Sequence, residues 1–344
     1  MTAENPRIGV IADTTLQGHL LSNAIRGQGY EVAVNTSPNL LEDRWYNSSE
    51  LALWVLDLSD EDRWSDFLDR FLDESEAPIL ICDGQAPHKT APEYPRWERR
   101  LLTKMLDYVD RPQIKVELEV LEPAPARKKI VIPTPSEFRS IKRAGRPQRV
   151  WVLGASLGGP AAVKEFLDSL PAELPVAFFL AQHIDASFVE TLSGVLCRDN
   201  GFDCKVGYDG ESLSHGTVMI APIEYEVQFT DTGMIKSAGK EWEGPYAPSI
   251  DQAINNVASR FGQYSGAILF SGMGNDGSIA APQMKQRGGV VWAQTSDSCA
   301  CSSQPDSVRE TGCVDYSGTP EQLALALVEH VRRSMTGQTT DHAE

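Results

Sequence analysis

Three residues of this sequence have the types that acyl transfer needs, and each stands where an apolar run stops. In RVWVLGASLGGPAAVKEFL, residues 149–167, Ser156 lies between Gly154 and Gly158 in a G-x-S-x-G pattern. VAFFLAQHID, residues 176–185, carries His183 directly after its apolar stretch, and GAILFSGMGNDG, residues 266–277, carries Asp276. A serine nucleophile, an imidazole base and a carboxylate that orients the base form a triad whose members need not be sequence neighbours. Each residue also has a plainer reading: Ser156 as a helix cap, His183 as a solvated loop residue, Asp276 as the turn residue of GNDG.

What would gather the three is a parallel sheet, because ligands bind outside the carboxyl ends of its strands. VWVLGA, VAFFLAQ, GAILFSG and GVVWAQ read as strands, accompanied by helical stretches at PAAVKEFLDSL, ASFVETLSGVL, PSIDQAINNVASRFG and QLALALVEHVRRS. Small residues around Ser156 permit a sharp strand-to-helix turn, and Pro160 suits a first helical turn. Backbone N–H groups at that helix start could hold a developing oxyanion. Residues 149–333 are therefore expected to form an α/β domain with a doubly wound, mostly parallel sheet, followed by a flexible tail over 334–344.

Residues 1–109 read as a smaller α/β domain. RIGVIAD, LALWVLDLS and APILICDG have the composition of strands, and LQGHLLSNAIRGQGY, WSDFLDRFLDE and WERRLLTKMLDYV read as helices. Residues 110–148 are rich in Pro, Lys and Arg without a sustained period, which predicts a linker with one short strand at IKVELEVL.

Composition excludes several classes of function. A formal net charge of -17 argues against wrapping nucleic acid, which relies on an excess of Lys and Arg. No apolar run is long enough to span a bilayer, so membrane insertion is not expected and a cytoplasmic protein is. Six cysteines are few for 344 residues, which suits a reducing compartment. Cys299 and Cys301 form CAC, not C-x-x-C, so no metal site is expected.

The motifs of the second domain together resemble the chemotaxis receptor methylesterases, the CheB-type protein-glutamate methylesterases. VLGASLGGPAAV is similar to that family's nucleophile segment, AQHID to its histidine segment and ILFSGMGNDGS to its aspartate segment. DGESLSHGTVMIAP and PSIDQAINNVA are similar to two further blocks. The resemblance implies Ser156 as nucleophile, His183 as general base and Asp276 as its orienting residue. It implies oxyanion donors at the backbone of Leu157 and Met273, and no cofactor. The implied reaction is hydrolysis of glutamate γ-methyl esters, with deamidation of glutamines, on the signalling helices of chemoreceptors. A chemosensory histidine kinase is the further implied partner. Three departures stand out: Leu157 where the family has threonine, APIEYEV without a histidine after AP, and SQP in place of GMP.

The same resemblance implies a phospho-accepting receiver ahead of the esterase, with Asp57 at the end of LALWVLD as the phosphorylated position. Its surroundings are incomplete. Ala12-Asp13 supplies one acidic residue where a magnesium site wants two, Cys82-Asp83 stands where Ser or Thr is expected, and no Lys-Pro follows an apolar strand. A degenerate, flavodoxin-like receiver that does not accept phosphate is the expectation, as in a paralogue serving a type IV pilus chemosensory system.

Three other readings compete. A small-ester α/β-hydrolase would need the order Ser, Asp, His, which only Ser156, Asp276 and His330 supply, and His330 lies within a helical stretch. A dinucleotide-binding oxidoreductase fails because GASLGGP is not G-x-G-x-x-G. A non-catalytic signalling module is the third.

Overall fold

The computed structural model describes residues 6–336 apart from 47, 61, 83–85, 89–90, 92, 111, 113–131, 140 and 142–146. The chain divides into two compact units between Lys115 and Val116. Among the described residues, no helix is long and apolar enough to cross a membrane.

In the first unit β1 (Arg7–Ala12), β2 (Glu31–Thr36), β3 (Leu53–Asp57) and β4 (Ile79–Cys82) form a parallel sheet in the order β2-β1-β3-β4. That order is the beginning of the flavodoxin-like arrangement. The helices are α1 (Thr15–Gly27), α2 (Ser65–Glu74) and α3 (Tyr94–Met105). Every residue of β3 is buried, as its position inside the sheet requires, whereas β2 at the edge is largely half-exposed. The strand expected at IKVELEVL lies outside the described residues. Ile132 and Phe138, in the stretch expected as linker, are buried in the core of the second unit.

The second unit contains a seven-stranded sheet. Its strands are β5 (Arg149–Ala155), β6 (Val176–Gln182), β7 (Asp203–Val206), β8 (Thr217–Ile220), β11 (Ser265–Leu269), β12 (Val290–Gln294) and β13 (Tyr316–Gly318), with a separate hairpin of β9 (Val227–Phe229) and β10 (Ile235–Ser237). The sheet order is β13-β12-β11-β5-β6-β8-β7 and every adjacent pair is parallel.

Alternation along β5 explains why helices cover both faces. Trp151, Leu153 and Ala155 join one core with α4 (Gly159–Ser169), α5 (Val189–Leu196) and α9 (Pro320–Thr336). Val150 and Val152 join another with α6 (Ile250–Phe261), α7 (Ala281–Gln286) and Val308 of α8 (Ser303–Glu310). From central β5 the chain builds outward through β6 to one edge, then returns to β11 and builds to the other. The crevice of such a sheet opens where the order reverses, at the carboxyl ends of β5 and β11.

Candidate active site

The turn after β5 is built for glycine. Gly158 has φ +72°, and a Cβ there would come within 2.5 Å of the Ala300 methyl and 2.8 Å of Ser271 Oγ. This tight passage lets α4 start at Gly159 with Pro160 in its first turn, three residues after Ser156. Ser156 is buried and held by its backbone: its N–H donates to the Ser271 carbonyl at 3.1 Å, and its own carbonyl accepts from Gly159 at 2.9 Å.

Register sets the second residue beside the first. Ala155 pairs with Gln182 across β5 and β6, so Ser156 and His183 leave adjacent strands side by side. The His183 N–H donates to the Ala155 carbonyl at 3.0 Å. Gln182, buried between them, donates from Nε2 to the carbonyls of Ser156 at 2.9 Å and His183 at 3.0 Å.

Asp276 is wholly buried and receives donors from several directions. Its Oδ2 lies 3.0 Å from His183 Nε2 and accepts from the Ile250 N–H at 2.7 Å, while Oδ1 accepts from the Asp251 N–H at 3.0 Å. Ser249 Oγ lies 3.5 Å from Oδ1 and also caps α6. The carboxylate therefore sits at the N-terminus of α6, where peptide dipoles and unpaired N–H groups favour negative charge. A charged Asp276 on Nε2 puts the ring proton there and leaves the Nδ1 lone pair as the basic site. The Ser156 hydroxyl itself makes no direct hydrogen bond to the ring among the described residues, a looseness common in unliganded sites.

Two further features complete the arrangement. The His183 ring lies parallel to Tyr246, with 4.8 Å between centroids and 2° between planes. Leu157 and Met273 are half-buried beside the turn, and among the described residues no acceptor takes either N–H. Ser271 ties these loops together, its hydroxyl donating to the Leu157 carbonyl at 2.7 Å and accepting from the Cys301 N–H at 3.0 Å.

Sequence reasoning did not single out Gln182, Tyr246, Ser249 or Ser271. Only Ser249 carried a local signal, since Ser249 with Gln252 has capping-box spacing ahead of an apolar helix. His330, the histidine that a Ser-Asp-His order would need, packs edge-on against Trp151 and Trp292, with centroids 5.7 and 5.8 Å away. Trp151 stands early in β5 and Ser156 beyond its end, on the order of 16 Å along the strand. Burial pushes the His330 imidazole down to about 4, helped by nearby Arg149, so this ring is a neutral packing group.

In the first unit Asp57 is buried at the end of β3, and Asp13 follows β1. The Asp13 carboxylate accepts from the Ser59 N–H at 2.9 Å and from Ser59 Oγ at 2.8 Å. These residues fit a magnesium site poorly, because Ala12-Asp13 offers one carboxylate after β1 where such a site wants two. Among the described residues, no group of three or more His, Cys, Asp or Glu could hold a metal ion. Asp83 lies outside the described residues.

A strand-to-helix turn at Ser156 and a buried His183–Asp276 pair stand on one rim of a parallel sheet, which makes this an α/β protein with a serine, an imidazole and a carboxylate gathered at strand ends. The chain belongs to the CheB methylesterase family, whose sequence profile matches residues 151–327. It is 34% identical over 180 residues to a protein-glutamate methylesterase/protein-glutamine glutaminase of Saccharophagus degradans, covering 52% of this chain and 49% of that one. It is 31% identical over 240 residues to a protein of the same description from Anaeromyxobacter dehalogenans, covering 66% and 69%. The crystal structure of the Thermotoga maritima CheB methylesterase catalytic domain matches with TM-score 0.51 and 26% identity, over 53% of this chain and 98% of that one. The chain thus spans about half the length of several curated relatives it matches.

Proposed function

We propose that this protein is a protein-glutamate methylesterase that hydrolyses glutamate γ-methyl esters on the signalling helices of chemoreceptors and deamidates glutamines there. The observation that carries this reading is the buried Asp276–His183 pair on the rim where β5 turns at Ser156. The names of the relatives supply the substrate class.

In the proposed reaction Ser156 Oγ attacks the ester carbonyl as its proton passes to His183 Nδ1. Asp276 holds Nε2–H and stabilises the imidazolium that forms. The oxyanion lies between the N–H groups of Leu157 and Met273, to which no acceptor is bonded among the described residues. Return of the proton to the leaving oxygen releases methanol and leaves a glutamyl ester on Ser156. Water, activated by the same nitrogen, then gives glutamate and free serine. An amide follows the same course with ammonia leaving. Leu157 in the threonine position keeps the main-chain donor and gives up a side-chain hydroxyl.

The test is methanol release from methylated receptor by wild type and Ser156→Ala. Loss of release in a folded Ser156→Ala variant supports the reading, and equal release by both proteins ends it. A small-ester hydrolase using His330 is disfavoured by the packing of that ring edge-on against Trp151 and Trp292.

A further inference from the structure

We infer that Tyr246 is a positioning residue for hydrolysis: its ring fixes the His183 imidazole in the one orientation that keeps Nδ1 available to Ser156. The inference rests on the proposed function and concerns a residue that none of the sequence motifs singles out.

An imidazole bonded at one nitrogen to one carboxylate oxygen still pivots about that bond. Asp276 holds the His183 ring by its edge at Nε2, and only something against the ring's face can fix its plane. Tyr246 lies against that face, parallel to within 2° at 4.8 Å, and is itself 8% exposed. The buried phenyl plane therefore restricts the torsion that would swing Nδ1 away from the β5 rim.

The position of Tyr246 in the chain strengthens this role. Ser249, Ile250 and Asp251, which bring the Asp276 carboxylate its N–H and hydroxyl contacts, follow Tyr246 within five residues. One short segment at the start of α6 thus sets both contacts of the base: the carboxylate on its edge and the aromatic plane on its face. When Nδ1 takes the Ser156 proton, the ring becomes a cation against an aromatic face, an attraction absent from the neutral ground state. Both effects act on the reacting state and not on docking of the receptor.

The experiment compares Tyr246→Leu, which keeps apolar bulk and removes the flat ring, with Tyr246→Phe, which keeps the ring and removes the hydroxyl. The full chain is assayed for kcat and KM on methylated receptor and for the rate at which a fluorophosphonate labels Ser156, with thermal melting as the check of folding. Tyr246→Leu is expected to lower kcat and the labelling rate together by about ten- to a hundredfold, the scale of a small misorientation, with KM within about twofold. Tyr246→Phe is expected to stay within about threefold of wild type in both, since it keeps the aromatic face. Should Tyr246→Leu not fold, Tyr246→Met fills the same space flexibly and is expected to show the same loss.

Wild-type kcat and labelling in a folded Leu or Met variant would overturn the inference. So would a rise in KM alone, which would make Tyr246 a receptor contact, or a loss in Tyr246→Phe equal to that in Tyr246→Leu, which would transfer the role to the hydroxyl. If Ser156→Ala itself releases methanol like wild type, the proposed function has failed. If only the Ser156 variant is dead, the positioning role alone has failed.

Discussion

Each unit of this chain ends a parallel strand near a carboxylate, and the two carboxylates are wired differently. Asp276 in the second unit is surrounded by donors that leave it charged and aimed: the α6 N–H groups on one side and the His183 ring on the other. Asp13 in the first unit is held by a serine next to β3, through both the Ser59 N–H and its hydroxyl. The sheets share a parallel architecture with crossover helices. A rim supplies positions, and chemistry arises only where the residue types and the surrounding dipoles agree. That difference can be attacked from both sides.

The largest effect is expected at the nucleophile and base. Ser156→Ala and His183→Ala should each lower ester hydrolysis by at least about a thousandfold, and the double variant by little more, because they act as one unit. Methanol release measured for the three proteins checks this. Near-additive losses would mean that the two residues do not share a proton. Asp276→Asn should cost about a hundred- to ten-thousandfold in kcat with the fold intact. The amide keeps the size of the carboxylate but lacks its charge, so the imidazolium and its tautomer lose their support. An Asp276→Asn variant with wild-type kcat would erase the distinction between the two rims.

The placement of these three residues on one rim was legible in the sequence because each lies at or shortly after the end of an apolar run, and parallel strands end together. What surrounds them was not. The donors to Asp276 are backbone N–H groups of Ile250 and Asp251, which carry no side-chain signature, and the stacking of Tyr246 on His183 depends on how a loop returns across the sheet. The strands that escaped detection have physical reasons too. EVAVNT of β2 has only three consecutive apolar residues and lies half-exposed at a sheet edge, and TVMI of β8 is buried but only four residues long. α7 and α8 carry prolines and polar residues in APQMKQ and SQPDSVRE, where tertiary packing overrides weak helix propensity.

A smaller effect separates His330 from His183 in the second unit. His330→Phe should leave hydrolysis within about twofold, because this ring packs on Trp151 and Trp292 far from the turn at Ser156. Its effect should instead appear in acid stability. Burial lowers the folded imidazole from 6.5 to about 4, so the unfolded chain binds the proton more readily. The native state is favoured fully above about pH 6.5 and loses that advantage as pH falls towards 4, a span worth on the order of 3 kcal/mol. Melting curves between pH 4 and 7 should therefore be flatter for His330→Phe than for wild type. Parallel curves would show that His330 protonates in the fold without penalty.

The smallest effect is expected at Asp57, and it bears directly on the comparison. An aspartyl phosphate forms when a divalent cation bridges the acceptor carboxylate, neighbouring acidic oxygens and the incoming phosphoryl group, and magnesium demands oxygen ligands at about 2.1 Å in near-octahedral geometry. Here Asp13 is the one acidic partner that the sequence places beside Asp57 after β1, and the Ser59 hydroxyl, within hydrogen-bond reach of both of its carboxylate oxygens, competes for their lone pairs. Acetyl phosphate with magnesium should accordingly leave Asp57 unlabelled by mass spectrometry and esterase activity within about twofold. Asp57→Ala should likewise leave basal activity within about threefold, since no bistable element is known to depend on that charge. Ser59→Ala sharpens the test by removing the hydroxyl from the Asp13 carboxylate while keeping the backbone N–H contact. Labelling that appears only in Ser59→Ala would identify the serine as the obstacle and show that the rest of the rim still supports phosphoryl transfer. Stable labelling of Asp57 in the wild-type chain, with a large rise in methanol release, would make the first rim as functional as the second, because the Ser59 contacts would then be ones that a metal ion displaces.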